Sequence, residues 1–208
     1  MVRQLYYLYP LDTMTLALFD FDGTITNKDS LLHFTAFAKK KIAFYTGMLI
    51  LSPVLILNKF RIVSSQKTKN KYLSYFFKNM STAKFNEISA EYVLSKLDSI
   101  VIKDAVRQIN WHKHSGHRVV VVSASPENYL LKWCSNYGIE CIATKLQTSG
   151  GKITGKIEGL NCTGAEKEKR IKEKIDLQAY TDIYGYGNSR GDKEMLALCN
   201  KPHYKIYN

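Results

Sequence analysis

Cysteine is sparse and unpaired in this sequence. Cys134, Cys141, Cys162 and Cys199 form no C-x-x-C motif and have no histidine cluster beside them, which argues against a zinc site and against a secreted disulfide scaffold. Reduced thiols in a cytoplasmic protein are the expectation. The succession of charged, apolar and small residues that marks a signal peptide is missing from Met1 to Leu11, which reads as a loose lead-in. No internal repeat is present. Acidic residues are in deficit, 18 Asp and Glu against 30 Lys and Arg, so the chain carries a formal net charge of +12. Such a field draws phosphates, nucleic acid or an anionic membrane surface. No recognisable nucleic-acid module accompanies the charge, so nucleic acid is not an expected partner.

What is present is enough apolar residue, 45% of 208, for one sizeable core and a modest insert. Thr15-Leu16-Ala17-Leu18-Phe19 reads as a buried strand that ends abruptly in Asp20-Phe21-Asp22-Gly23-Thr24. Asp29-Ser30 opens a helical pattern, with a short acceptor side chain at the N-cap, and the text stays helical to about Leu97. A second buried strand, His117 to Val122, stops at Ser123; a helix from Pro126 to Tyr137 closes at Gly138, and Glu140 to Ala143 is a third strand. Thr148 to Lys152 suits a hairpin turn. Thr163-Gly164-Ala165-Glu166 matches a capping box ahead of a charged helix. Asp182 to Gly187 is a fourth strand, and Tyr204 to Tyr207 a last one. This alternation predicts an α/β fold with a mostly parallel sheet covered on both faces, in which ligands bind beyond the C-terminal strand ends. Asp20, Asp22, Ser123, Asn188 and Asp192 all fall on that edge.

Two acids directly after a buried strand are costly unless a cation or ligand uses them. A D-x-D-G turn is the structural alternative. One carboxylate, Asp20, can attack phosphorus, and the other, Asp22, can protonate the leaving oxygen and later accept a proton from water. Mg²⁺ prefers oxygen ligands, and Asp20, Asp192, the amide of Asn188 and the Asp22 carbonyl can supply them. The Ser123 hydroxyl and nearby amides could hold a phosphate oxygen, and Lys167, one turn inside its helix, could neutralise nucleophile and phosphate. Each signal has an ordinary counterpart: a polar strand end for Ser123, a solvated face for Lys167, a glycine-rich loop for residues 187–192.

Taken in order, Phe19 to Thr24, Val119 to Ser123, Gly164 to Lys167 and Tyr186 to Asp192 resemble the successive motifs of haloacid dehalogenase-type phosphatases. The helical insert after the first motif resembles the cap of the subgroup that contains phosphoserine phosphatase. The resemblance implies a Rossmann-like core over 13–28 and 101–208 and a helical cap over 29–100. It also implies Mg²⁺ held by Asp20, Asp22, Asn188 and Asp192, catalysis by Asp20, Asp22 and Lys167, and phosphate held by Gly23, Thr24, Ser123, Ala124, Ser125 and Lys167. A phosphorylated small molecule is then the expected substrate. Two positions depart from the pattern: Asn188 stands where the family usually has Asp, and Asp29 where phosphoserine phosphatases usually have Glu. A non-catalytic phosphate-binding relative is the alternative that Asn188 motivates.

Ile42 to Leu57 is free of charge and flanked by Lys39, Lys40, Lys41 and by Lys59 and Arg61. It is shorter than the roughly 20 residues of a span and is interrupted at Ser52-Pro53, so buried cap helices are expected. Peripheral contact with an anionic membrane is the alternative, and with it a lipid-phosphate substrate, since the segment resembles caps of phosphatidylglycerophosphate phosphatase-like proteins.

Overall fold

The computed structural model describes residues 14–206; the lead-in and the end of the expected last strand lie outside them. Five strands form one parallel sheet in the order β3-β2-β1-β6-β7: β1 Thr15–Phe19, β2 Arg118–Pro126, β3 Glu140–Thr144, β6 Asp182–Gly187 and β7 Lys201–Tyr204. Strand alternation divides the core. Leu16 and Leu18 join Val120, Val122, Ile171, Ile183 and Met195 on one face, where α7 (Ala165–Lys174) and α8 (Lys193–Ala197) lie. Ala17 and Phe19 join Val119, Val121, Ile109 and Leu130 on the other, covered by α5 (Lys103–His114) and α6 (Glu127–Tyr137).

The last strand begins three residues earlier than Tyr204, because Lys201-Pro202-His203 pairs with β6. The capping box expected at Thr163–Glu166 does not form. Gly164 is the N-cap, with φ +61°, and Glu166 accepts instead from Arg170 Nε. A true capping box closes around Ser189 and Asp192. All four cysteines are free thiols.

Four helices intervene between β1 and α5: α1 Ser30–Ala38, α2 Lys41–Lys59, α3 Ser65–Phe77 and α4 Thr82–Ser95. Asp29 caps α1 as expected, its Oδ1 accepting from Leu32 N at 2.9 Å. These helices share one apolar cluster with the sheet. Phe34 lies at its centre, with its ring 5.3–5.7 Å from those of Phe77, Phe85, Tyr92 and Tyr129. The antiparallel hairpin of β4 (Leu146–Ser149) and β5 (Lys152–Ile157), far along the chain, bonds to this helical layer. Ser74 Oγ donates to Gly155 O, and Ile157 N donates to Asn70 Oδ1. Gly155 is required there, since a Cβ would lie 2.5 Å from Ser74 Cα.

α2 departs from expectation twice. It runs unbroken through Pro53, because Ser52 Oγ donates to Leu49 O at 2.8 Å, the carbonyl that proline cannot serve. It is also mostly uncovered: only Gly47, Leu51 and Val54 are buried. Among the described residues it is the one helix long and apolar enough to cross a membrane.

Behind the sheet, His112 is fully buried, with Nε2 at 2.9 Å from the Tyr186 hydroxyl and Nδ1 at 2.8 Å from His117 Nδ1. Burial, reinforced by His117 and His203, pushes its pKa down from 6.5 to about 4. Since the folded value lies below the unfolded one, the neutral ring's contribution is complete above pH 6.5 and is lost as pH falls toward about 4. At about 1.4 kcal/mol per pH unit the loss amounts to ~3 kcal/mol. Urea unfolding at stepped pH should therefore show a fall over that window that His112→Gln lacks; parallel profiles for the two chains would contradict it.

Candidate active site

The C-terminal ends of β1, β2 and β6 converge on a cavity of about 220 Å³ whose lining includes Asp20, Asp22, Ala124, Ser125, Lys167 and Asp192. Its placement follows from the sheet: the strands end together, and the polar residues that follow β1 and β6 face those at the C-terminal end of β2, which continues through Ser123 and Ser125 to Pro126.

Asp20 is 7% exposed. Its Oδ1 accepts from Lys167 Nζ at 2.5 Å, and its Oδ2 from Thr24 Oγ1 at 3.3 Å. Burial raises its pKa from 3.8 to about 7; Lys167 opposes the rise, while Asp192 and Asp22 add to it. Lys167 is itself buried and donates a second bond to Asp192 Oδ1 at 2.6 Å. Burial alone would lower its pKa, but the two carboxylates outweigh it and hold the ammonium above the ordinary lysine value. Asp192 Oδ2 accepts from Ser189 N, Ser189 Oγ and Asn188 N at 2.8–3.2 Å. For Asp192, burial pushes upward, yet Lys167 and these donors keep its carboxyl below the usual value. Both of its oxygens are therefore engaged within the protein.

Asp22 accepts from Ser30 N at 2.7 Å and from Ser125 Oγ at 2.5 Å. Its pKa is raised, chiefly by burial and then by Asp29, against the pull of those donors. Ser30 Oγ donates on to Ser125 Oγ and lies 3.0 Å from the Tyr129 hydroxyl, so a chain of hydroxyls backs the Asp22 carboxyl. Neither Ser30 nor Tyr129 is distinguishable in the sequence from a helix start and a core aromatic.

Gly23 has φ +81°, and a Cβ there would fall 2.0 Å from Asn188 Nδ2, so both conformation and space demand glycine. The groups expected to hold phosphate are partly spoken for. Thr24 N bonds Phe21 O, and Ser125 N bonds Ser123 Oγ at 3.0 Å. Ser123 is buried behind Ala124 and Ser125, which line the cavity where Ser123 does not.

Lys69, from α3, reaches the same cavity. Its Nζ donates to Ala124 O at 2.6 Å and to Asn161 Oδ1 at 2.9 Å, and burial lowers its pKa. Sequence offered no signal for it, since Lys67 and Lys71 read alike. A second cleft, about 180 Å³ and lined by Leu31, Leu32, Leu55 and Tyr72 among others, adjoins the first and shares Asp29, Leu31, Ser65 and Lys69 with it.

Among the described residues no three His, Cys, Asp or Glu side chains gather around one point. Oxygen donors nevertheless remain: Asp20 presents a carboxylate to the cavity, and Asn188 Oδ1, on a side chain packed against Gly23 and outside the residues that line the cavity, is buried without a hydrogen-bond partner. That all-oxygen, weakly charged set fits Mg²⁺, which keeps several of its waters.

Residues 17–197 match the family model described as haloacid dehalogenase-like hydrolase. Protein CicA of Caulobacter vibrioides is 32% identical over 196 residues, covering 92% of this chain and 86% of that protein. A histidinol-phosphatase of Neisseria meningitidis serogroup C is 25% identical over 213 residues, covering 90% and 88%. A protein of unknown function from Bordetella pertussis Tohama I has a similar structure, with a TM-score of 0.78 at 20% identity over 91% of this chain and 89% of that one. A substrate-bound phosphoserine phosphatase gives a TM-score of 0.62 at 21% identity over 93% and 87%. At those identities the two structures establish the likeness of fold.

Proposed function

Because this chain belongs to the haloacid dehalogenase-like hydrolase family, we propose that it hydrolyses phosphate monoesters in a Mg²⁺-dependent reaction through a phosphorylated Asp20. The observation that carries this reading is the buried Asp20–Lys167–Asp192 triad at the sheet edge, 2.5 and 2.6 Å on either side of the ammonium, with Asp22 beside it in the same cavity.

In this reading an Asp20 oxygen attacks phosphorus, and the bond to the leaving oxygen breaks as Asp22 gives that oxygen its proton. The raised pKa of Asp22 suits the donor role. Water then attacks the phosphorus of the acyl phosphate; Asp22 takes its proton, and the bond to Asp20 breaks to release phosphate. Lys167 offsets the charge of Asp20 and of the incoming phosphoryl group. Asp20, the Asp22 carbonyl and the Asn188 amide oxygen would hold Mg²⁺, which when bound counters the charge on the phosphoryl oxygens. Asp192 acts by fixing Lys167 and the loop at 188–192. Residues 29–100 serve as a cap over the cavity, through which Lys69 reaches the phosphate site.

A lipid phosphate is a second reading, favoured by the apolar cleft that continues from the catalytic cavity. Turnover of a panel of phosphorylated amino acids, sugars and acyl-chain phosphates, with an aryl phosphate as reference, tests both. Aryl phosphate hydrolysis should stop on chelation and return with Mg²⁺. Indifference to the chelator would remove the metal from the reading, and no preference for acyl-chain substrates would remove the lipid.

A further inference from the structure

The outward face of α2 has no role in the chemistry and no cover in the described fold. Ile42, Tyr45, Leu49, Ile50, Ile56 and Phe60 are 54–82% exposed. At 100° per residue they fall within a sector of about 140° on one side of the helix. A water-facing helix side is ordinarily polar, and a stripe of large apolar side chains on it marks a contact surface. Its orientation is fixed by packing. Gly47 lies on the opposite side, where a Cβ would meet the rings of Phe76 and Tyr75 at 2.4–2.6 Å, so its missing side chain lets α2 seat closely on α3.

Charge identifies the occupant. Between Asp29 and Glu87 the chain has ten Lys or Arg and no Asp or Glu. Lys40 and Lys41 are exposed at one end of the stripe, and Lys59 and Arg61 at the other. A stripe that is apolar along its middle and cationic at both ends matches the cross-section of an anionic bilayer surface: acyl chains beneath, phosphate headgroups at the rim.

Crossing the bilayer is excluded by topology. α1 and α3, on either side of α2, both bury residues in the same apolar cluster, Leu31 and Phe34 from one, Leu73 and Phe77 from the other. A single crossing between them would put them on opposite sides of the membrane. We propose that α2 lies in the plane of an anionic lipid surface and docks the protein there, with its Ile42-to-Phe60 stripe inserted and its flanking Lys and Arg on headgroups. This inference does not depend on turnover.

The full chain should co-sediment with vesicles of phosphatidylcholine and phosphatidylglycerol, and far less with phosphatidylcholine alone. Leu49→Glu, placed on the exposed stripe, should weaken binding at least about tenfold without changing the thermal midpoint. Lys40→Gln with Lys41→Gln should weaken it by about fivefold per charge. Asp20→Asn should bind like the wild type, which separates failure of docking from failure of the catalytic reading. Absence of binding to anionic vesicles, or Leu49→Glu binding as tightly as the wild type, would overturn the inference. So would a wild-type dimer in sedimentation velocity that Leu49→Glu dissociates without any vesicle binding, since the stripe would then belong to a second copy of the chain.

Discussion

Asp20→Asn should lower aryl phosphate turnover by about 10⁴-fold or more while leaving the folded state as stable as before. Loss of a covalent nucleophile costs on that order in other hydrolases, because the residual binding groups cannot replace the bond it forms. The undiminished stability follows from the environment. Burial already pushes the Asp20 carboxyl up to about 7, so ionising it is unfavourable inside the fold. An amide keeps the shape and removes the charge, and Lys167 retains Asp192 as its partner at 2.6 Å. Turnover and urea unfolding measured on the same preparation separate the two effects. Residual activity within tenfold of wild type would assign the attack to another group.

Lys167→Met should show the opposite balance, a large loss of stability as well as activity. Lys167, Asp20 and Asp192 are 1%, 7% and 1% exposed, so removing the ammonium strands the Asp192 carboxylate it holds ionised and takes away the charge that opposes protonation of Asp20, in a water-poor site. Breaking a buried ion pair from one side costs about 3–5 kcal/mol, more than the intact pair contributes relative to apolar packing, because the abandoned charge cannot be rehydrated. Adding Asp20→Asn to Lys167→Met removes the second acid from the same site, and with it the repulsion that Asp192 feels from any ionised Asp20, and should restore part of the loss. A double-mutant cycle by urea unfolding gives the coupling; groups in direct contact typically show about 0.5–3 kcal/mol, and strict additivity here would mean that the 2.5 Å contact carries no energy.

The two effects fall on one ammonium because the site is assembled from positions 147 and 25 residues apart in the chain, Asp20 to Lys167 and Lys167 to Asp192. Their convergence could be anticipated from sequence because each follows or opens an element whose place in a parallel sheet is fixed by topology. β1 is central, β2 and β6 flank it, and the polar residues that follow β1 and β6 meet those at the end of β2, which runs to Pro126 rather than stopping at Ser123, at one edge.

Elsewhere sequence misled where a local signal was outvoted. Thr163–Glu166 carries the pattern of a capping box, but Arg170 takes the Glu166 carboxylate, and the box forms at Ser189–Asp192 instead. Ser52-Pro53 reads as a break, but one serine hydroxyl satisfies the carbonyl that proline abandons, and α2 continues. In both cases the deciding partner is a side-chain bond that no propensity encodes.

Apolar periodicity, the acids after β1 and the charge balance fixed the α/β class and the candidate residues, because strand-end chemistry and the sheet edge are coupled through chain direction alone. Tertiary structure alone decided which Asp192 oxygen holds Lys167, that Lys69 rather than Lys67 or Lys71 enters the cavity, and which side of α2 is left bare. Those outcomes depend on how helices rotate against a shared core, and a helix that is apolar on all sides has no sequence feature that says which side will be covered.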